Sequence, residues 1–230
     1  MAKLLSFVKL DFLTVRPYIT SKTLIIYLAV TIIVIISARS AAAGIVLLMV
    51  YASLYATTPF SVGEKNGLDV LYASLSIEKN TVVMGRYLFA QIINAFSALF
   101  GCIFSVGVSW MAAKSYRYYQ NPFEIPITII AMFLICGLTQ AMLLPLFFKI
   151  GYAKARFFTY LPFIVLFLLG MSIDVVIKNN RSNFTLWYES NKHWAVLIFL
   201  IAWLGIMFLS YLVSLIFYKK YKFFIYKKYE

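Results

Sequence analysis

Apolar stretches of bilayer-crossing length fill most of the chain, at 23–38, 41–60, 82–113, 127–148, 157–177 and 194–218. A helix needs about 20 mostly apolar residues to cross the hydrocarbon layer. The pattern predicts an all-α integral membrane protein with six transmembrane helices. Composition agrees: 63% of the 230 residues are hydrophobic and 13% charged, with a mean hydropathy of +0.88. A soluble domain is about half apolar and a quarter charged. Six spans and their loops leave no room for a second domain, so 1–230 reads as one transmembrane domain.

The spans organise the rest. Residues 1–20 read as an interfacial helix. Leu5, Val8, Phe12 and Val15 share a face, and Lys3, Lys9 and Arg16 lie off it. Pro17 ends that helix. Lys9, Asp11 and Arg16 interrupt any early apolar region, which argues against a signal peptide. Only Arg39 and Ser40 separate the first two spans, so they form a tight hairpin. One helix through both would run to about 60 Å, about twice the hydrocarbon thickness. The third span exceeds what a bilayer requires, so its first turns, with Arg86, are expected in water or headgroups. Pro145 and Pro162 are expected to kink the fourth and fifth spans. Asp174 falls near the outer end of the fifth span.

The net charge of +13 suits lipid anchoring better than nucleic-acid binding. Fifteen of the 21 Lys and Arg fall in 1–22, 61–86, 149–156 and 219–230. The positive-inside rule therefore puts both termini and the 61–86 segment in the cytoplasm. Cys102 and Cys136 lie in apolar runs and read as core residues; His193 is alone, so no metal site is expected. Asn180 and Asn183 each start a glycosylation-like triplet, a pattern common by chance in polar loops.

The 61–86 segment is a polar island between apolar runs. Gly67 can open a short helix on which Leu68, Leu71, Tyr72 and Leu75 form one stripe, with Asp69 and Ser74 off it. Asn80 and Thr81 can cap the third span. Such a helix can rest on lipid or dock in a groove of a partner. The basic turn after the fourth span, with Lys149, Gly151, Lys154 and Arg156, reads either as a positive-inside anchor or as a second cytoplasmic contact. Inside the spans, Ser97, Gly101, Ser105 and Ser109 recur every four residues, so another helix can approach closely. Gln91 and Asn94 lie near that side, and Thr139 and Gln140 offer similar groups on the fourth span. These polar groups serve either helix packing or a translocation path. The sequence has no G-x-x-x-x-G-K-S/T loop and no H-E-x-x-H motif. Nothing in it points to catalysis by this chain or to a cofactor bound by it.

The segment EKNGLDVLYASLSIEKNTVVMGRY at 64–87 and the later LPLFFKIGYAKAR at 144–156 resemble the small permeases of type-2, export-class ABC transporters. Within that group the chain resembles the membrane subunits of the phenol-soluble modulin exporter. It covers nearly the whole chain: entry helix, six spans, acidic island, and P-x-x-x-K-x-G-x-x-K-x-R after the fourth span. The resemblance implies a bacterial cytoplasmic-membrane permease whose island is a coupling helix, seated in a cleft of a separate ATPase subunit. Glu64, Leu68, Leu71, Tyr72, Leu75 and Glu78 would be its contact positions. ATP and magnesium would be used by that partner, and a second permease chain, itself or a sister, would complete the transporter. The implied cargo is amphipathic peptide or other hydrophobic material. Such relatives have a Leu-Pro turn after the coupling helix where this chain has Leu75-Ser76. They also have a re-entrant element before the last span, for which 184–188 is the candidate. The alternative reading is a non-pumping immunity or sensor protein that binds a ligand or partner.

Overall fold

The computed structural model describes residues 2–18, 20–68, 71–72, 75, 77–113, 124–162, 164–165, 197 and 200–220. Expectations for Asp69, Ser74, Asp174, His193, the Asn180 and Asn183 triplets, the 184–188 segment and most of the fifth span lie outside these residues. Among the described residues all regular structure is helical.

Helix α1 (Ala2–Val15) opens the chain and gives way to a 3-10 turn at Arg16–Tyr18. It ends where Pro17 disfavours helical geometry in the preceding residue. Its inward face differs from the apolar stripe. Val8 and Val15 are buried against Phe89 within the bundle instead of lying on headgroups, and Phe7 and Asp11 complete that face. Leu5 is 63% and Phe12 40% exposed. Two helical stripes share positions 8 and 15, and a counter-charge elsewhere in the chain selects the one that carries Asp11.

Helices α2 (Ser21–Ala38) and α3 (Ala41–Tyr55) form the expected hairpin. Arg39 takes the left-handed conformation at the turn, φ 50°. A turn at 56–57 leads into α4 (Thr58–Lys65), with Pro59 in its first turn. Helical structure therefore continues five residues past the expected end of the second span. Helix α5 (Lys79–Ala113) also starts earlier than expected, at Lys79. Helix α6 (Glu124–Ile150) runs unbroken through Pro145, so the proline removes one N–H from the ladder without ending it. A single helical turn, α7 (Tyr152–Ala155), follows Gly151. Helix α8 (Leu200–Lys220) closes the described chain.

Five described helical stretches are long and apolar enough to cross a membrane: Ser21–Ala38, Ala41–Lys65, Lys79–Ala112, Ile125–Ile150 and Leu200–Lys220. Their packing follows small residues. A side chain at Gly44 would strike Ser105 Oγ at 2.5 Å and Ile35 at 2.6 Å, so α2, α3 and α5 meet where Cβ is absent. A cluster of Ile45, Met49, Ala98, Met132 and Cys136 joins α3, α5 and α6. A larger cluster occupies one end of the bundle, around Phe7, Tyr72, Val82, Tyr87, Leu144, Phe147, Phe148, Ala155 and Tyr218. It draws together α1, the island, the start of α5 and the ends of α6, α7 and α8. Three of the four Lys- and Arg-rich segments thus contribute residues to this cluster, and the fourth begins directly after its Tyr218.

Candidate functional site

The island is short once its flanking helices are drawn. It leaves α4 through Asn66 and Gly67, whose φ of 62° suits glycine. Leu68, Leu71 and Tyr72 are helical. The Leu75 N–H donates to the Leu71 carbonyl, and the Ile77 N–H to the Tyr72 carbonyl, each at 3.0 Å. These bonds close the segment just before α5 begins.

Its apolar stripe divides between two directions. Tyr72 is 1% exposed, whereas Leu71 is 45% and Leu75 58% exposed. Leu68 packs partly against the end cluster. The Tyr72 ring meets Phe7 of α1 edge-on, with centroids 5.2 Å apart. Tyr72 therefore anchors the segment from beneath, and Leu71 and Leu75 form an outward edge. Glu78 is exposed beside that edge.

Arg86 departs from expectation. It is 4% exposed, not set in water or headgroups. Its Nη1 lies 3.4 Å from Asp11 Oδ1, and its Nη2 donates to the Tyr72 hydroxyl at 3.4 Å. The guanidinium also stacks over Phe60, 4.9 Å from the ring centre, and reaches Phe7 at 5.9 Å. Three chain segments thus converge on one cation. Neither Asp11 oxygen accepts a hydrogen bond among the described residues. Burial pushes the Asp11 carboxyl from its ordinary 3.8 up to about 6, and the Arg86 charge pulls the other way. Sequence reasoning missed this pair. Its signal was Asp11 on the same stripe as Val8 and Val15.

The basic turn meets the island directly. The Ala153 N–H donates to Glu64 Oε2 at 2.9 Å, so the last turn of α4 caps the first turn of α7. Gly151 makes room for this. Its φ is 78°, and an added Cβ would lie 3.3 Å from the Glu64 carboxylate. Lys149 sits over the Phe217 ring at 5.0 Å and ties α6 to α8. Lys154 and Arg156 are exposed, with Arg156 over Phe157 at 5.3 Å. Glu64, Gly151 and the Lys149 turn are thereby brought together, and Glu78 is not joined to them. Gly151→Ala should cost about 1–3 kcal/mol, because the backbone there is one that only glycine adopts freely. The check is a lower thermal midpoint in detergent; an unchanged midpoint would refute the argument.

The polar groups of the spans face one another. Gln140 Nε2 donates to Asn94 Oδ1 at 3.0 Å. Gln140 Oε1 accepts from Asn94 Nδ2 at 2.9 Å and from Gln91 Nε2 at 3.0 Å. Asn94 and Gln140 are buried, so these amides lock α5 to α6 within the chain. Ser97 donates to the Asn94 carbonyl. Gly101 lies against Leu48 and Ile45, and Ser105 against Gly44, on the α3 side. Gln140→Leu strands three polar atoms of the Asn94 and Gln91 amides and should cost about 2 kcal/mol. In thermal unfolding, Asn94→Leu with Gln140→Leu should lose less than the two single changes added together; simple additivity would count against the lock. A second lock went unread in the sequence: Tyr87 bonds Ser210 and Ser214, and Ser210 donates to the Ala141 carbonyl. Its signal was two serines four residues apart in the last apolar run.

Neither a curated protein nor a solved structure matches this chain. A family model described as ABC-2 family transporter protein matches residues 6–219. That match takes in α1 from Ser6 on, the island, the basic turn and α8 up to Lys219, so the clustered residues from Phe7 to Tyr218 lie within it. This multi-pass membrane chain belongs to the ABC-2 family of transporter proteins, as a membrane permease component and not a catalytic one.

Proposed function

We propose that this chain is the membrane-spanning subunit of an ATP-driven exporter, and that a separate P-loop ATPase docks on its 61–81 loop. The observation that carries the reading is the divided island: Tyr72 is sunk into the chain's own core while Leu71 and Leu75 stay exposed beside Glu78. A helix resting on lipid gains from turning its whole apolar stripe to one surface. An anchored base with an outward apolar edge and a charged rim suits a groove in a protein partner. The Glu64 contact to Ala153 supports a platform built from both loops, with Lys154 and Arg156 available at its margin.

Under this reading the loop and both termini face the cytoplasm. The ATPase supplies ATP and magnesium chemistry. A second permease chain, identical or sister, completes the pathway through the membrane lipid. Nucleotide-driven closure of the ATPases would rock the spans through the docked islands. The resemblance to phenol-soluble modulin exporter subunits supports amphipathic peptides or other hydrophobic cargo, and a bacterial cell membrane.

Affinity purification of the tagged chain from native membranes, followed by mass spectrometry, tests the proposal. A stoichiometric P-loop ATPase is expected. Its reproducible absence from an intact, folded chain would sink the reading and favour a ligand-binding membrane protein that does not pump.

A further inference from the structure

We infer that Asp11 is a positioning residue for the exposed Leu71–Leu75 edge, acting on it through Arg86 and Tyr72. The inference rests on the docking role proposed above for that edge. Asp11 belongs to the N-terminal helix and reaches the island through Arg86. Arg86 holds it at 3.4 Å, and the same guanidinium donates to the Tyr72 hydroxyl. Tyr72 also packs on Phe7, one turn before Asp11 on α1. Any movement of α1 along its axis therefore shifts two supports of Tyr72 together. Leu71 is the neighbour of Tyr72, and Ile77 bonds back to the Tyr72 carbonyl. The buried Tyr72 ring is thus one anchor of the outward edge, beside the packing of Leu68 and Ile77 on the end cluster.

The chemistry of the pair points the same way. A buried ion pair is weak evidence for stability, since a packed apolar pair of equal volume does as well or better. This pair is also incomplete, because both Asp11 oxygens and Arg86 Nη1 lack hydrogen bonds among the described residues. Its attraction has direction without a rigid lock. It fixes the side on which the guanidinium sits, and the guanidinium fixes the phenol.

The test uses full-length permease carrying Asp11→Asn or Asp11→Glu, with two readouts. The first is retention of the ATPase that co-purifies with the native chain. The second is amide hydrogen exchange over 66–78, which needs no partner. Asp11→Asn keeps the side chain's shape and removes its charge. It should weaken ATPase retention about tenfold, within what coupling through packed side chains carries. Exchange at Leu71 and Leu75 should speed up by a similar factor, beyond any general loss of protection that follows from leaving Arg86 without its counter-ion. Asp11→Glu should restore much of both. Unchanged exchange at 66–78 in Asp11→Asn would overturn the inference, as would a loss of protection spread evenly over the chain. If the native chain captures no ATPase, the docking proposal falls and the exchange result still decides whether Asp11 positions the edge.

Discussion

Leu71→Asp is expected to strip the partner ATPase from the purified permease while leaving the chain inserted in the membrane. Leu71 stands 45% exposed at the outward edge of the island, outside every candidate span. Its change to a carboxylate therefore leaves the bundle's own packing intact. In a partner's apolar groove the same change acts twice. It forfeits about 1.5–3 kcal/mol from leucine burial, and it asks the groove to desolvate an unpaired carboxylate, which costs more. At about 1.4 kcal/mol per decade, binding should fall by at least about a hundredfold. Leu75, 58% exposed on the same edge, should respond similarly. The measurement is ATPase recovered per permease from detergent extracts, with membrane-fraction yield as the control. Full recovery with Leu71→Asp would remove the island from the docking surface. Recovery lost together with membrane yield would show that Leu71 serves the fold instead.

The spans were legible because lipid imposes a length and an apolarity that no other environment asks of a helix. The tight hairpin at Arg39-Ser40 and the approach of α5 through Gly101 and Ser105 could likewise be read from spacing. The boundaries were not. Ser61–Lys65 and Lys79–Thr81 are polar, and hydropathy stops where polarity begins, but a helix does not end for that reason. It continues in water as long as its turns find bonds and packing, as α4 does beneath Phe147 and Phe148. The division of the island stripe was equally hidden. Helical spacing says which residues share a face, but Tyr72 and Leu71 are adjacent in sequence and sit 100° apart on a helix. Only the ring of Phe7 and the cation of Arg86 decide which of them turns inward. Periodicity also put Leu5 and Phe12 on one apolar face of α1 with Val8 and Val15. The partner that overrules it lies 75 residues away, at Arg86, and no local pattern announces a contact at that distance. For the same reason the bonds that join Gln91 and Asn94 to Gln140 were not legible in the sequence.

Arg86→Met should produce a large loss of stability, and that loss should depend on pH. The substitution leaves Asp11 buried with no counter-ion, a situation that costs about 3–5 kcal/mol. It also removes the one influence that lowers the Asp11 pKa. In the native chain burial already places that pKa at about 6, against an ordinary 3.8. A carboxyl raised on folding binds its proton more tightly in the folded state, so its stability contribution is full below about 4 and is lost as pH rises through about 6. Without Arg86 the upper limit of that window moves higher. The deficit of Arg86→Met relative to the native chain should therefore be greatest near pH 8 and shrink toward pH 5, as Asp11 takes up a proton and ceases to need a partner. Combining Arg86→Met with Asp11→Asn should recover most of the loss and flatten the pH dependence, because no charge then remains buried. Thermal unfolding of the native chain, the single variants and the double variant at pH 5 and pH 8 closes this cycle. A loss that is the same at both pH values, or a double variant no better than Arg86→Met alone, would mean that Arg86 stabilises the end of the bundle by stacking on Phe60 and Phe7, not by answering Asp11.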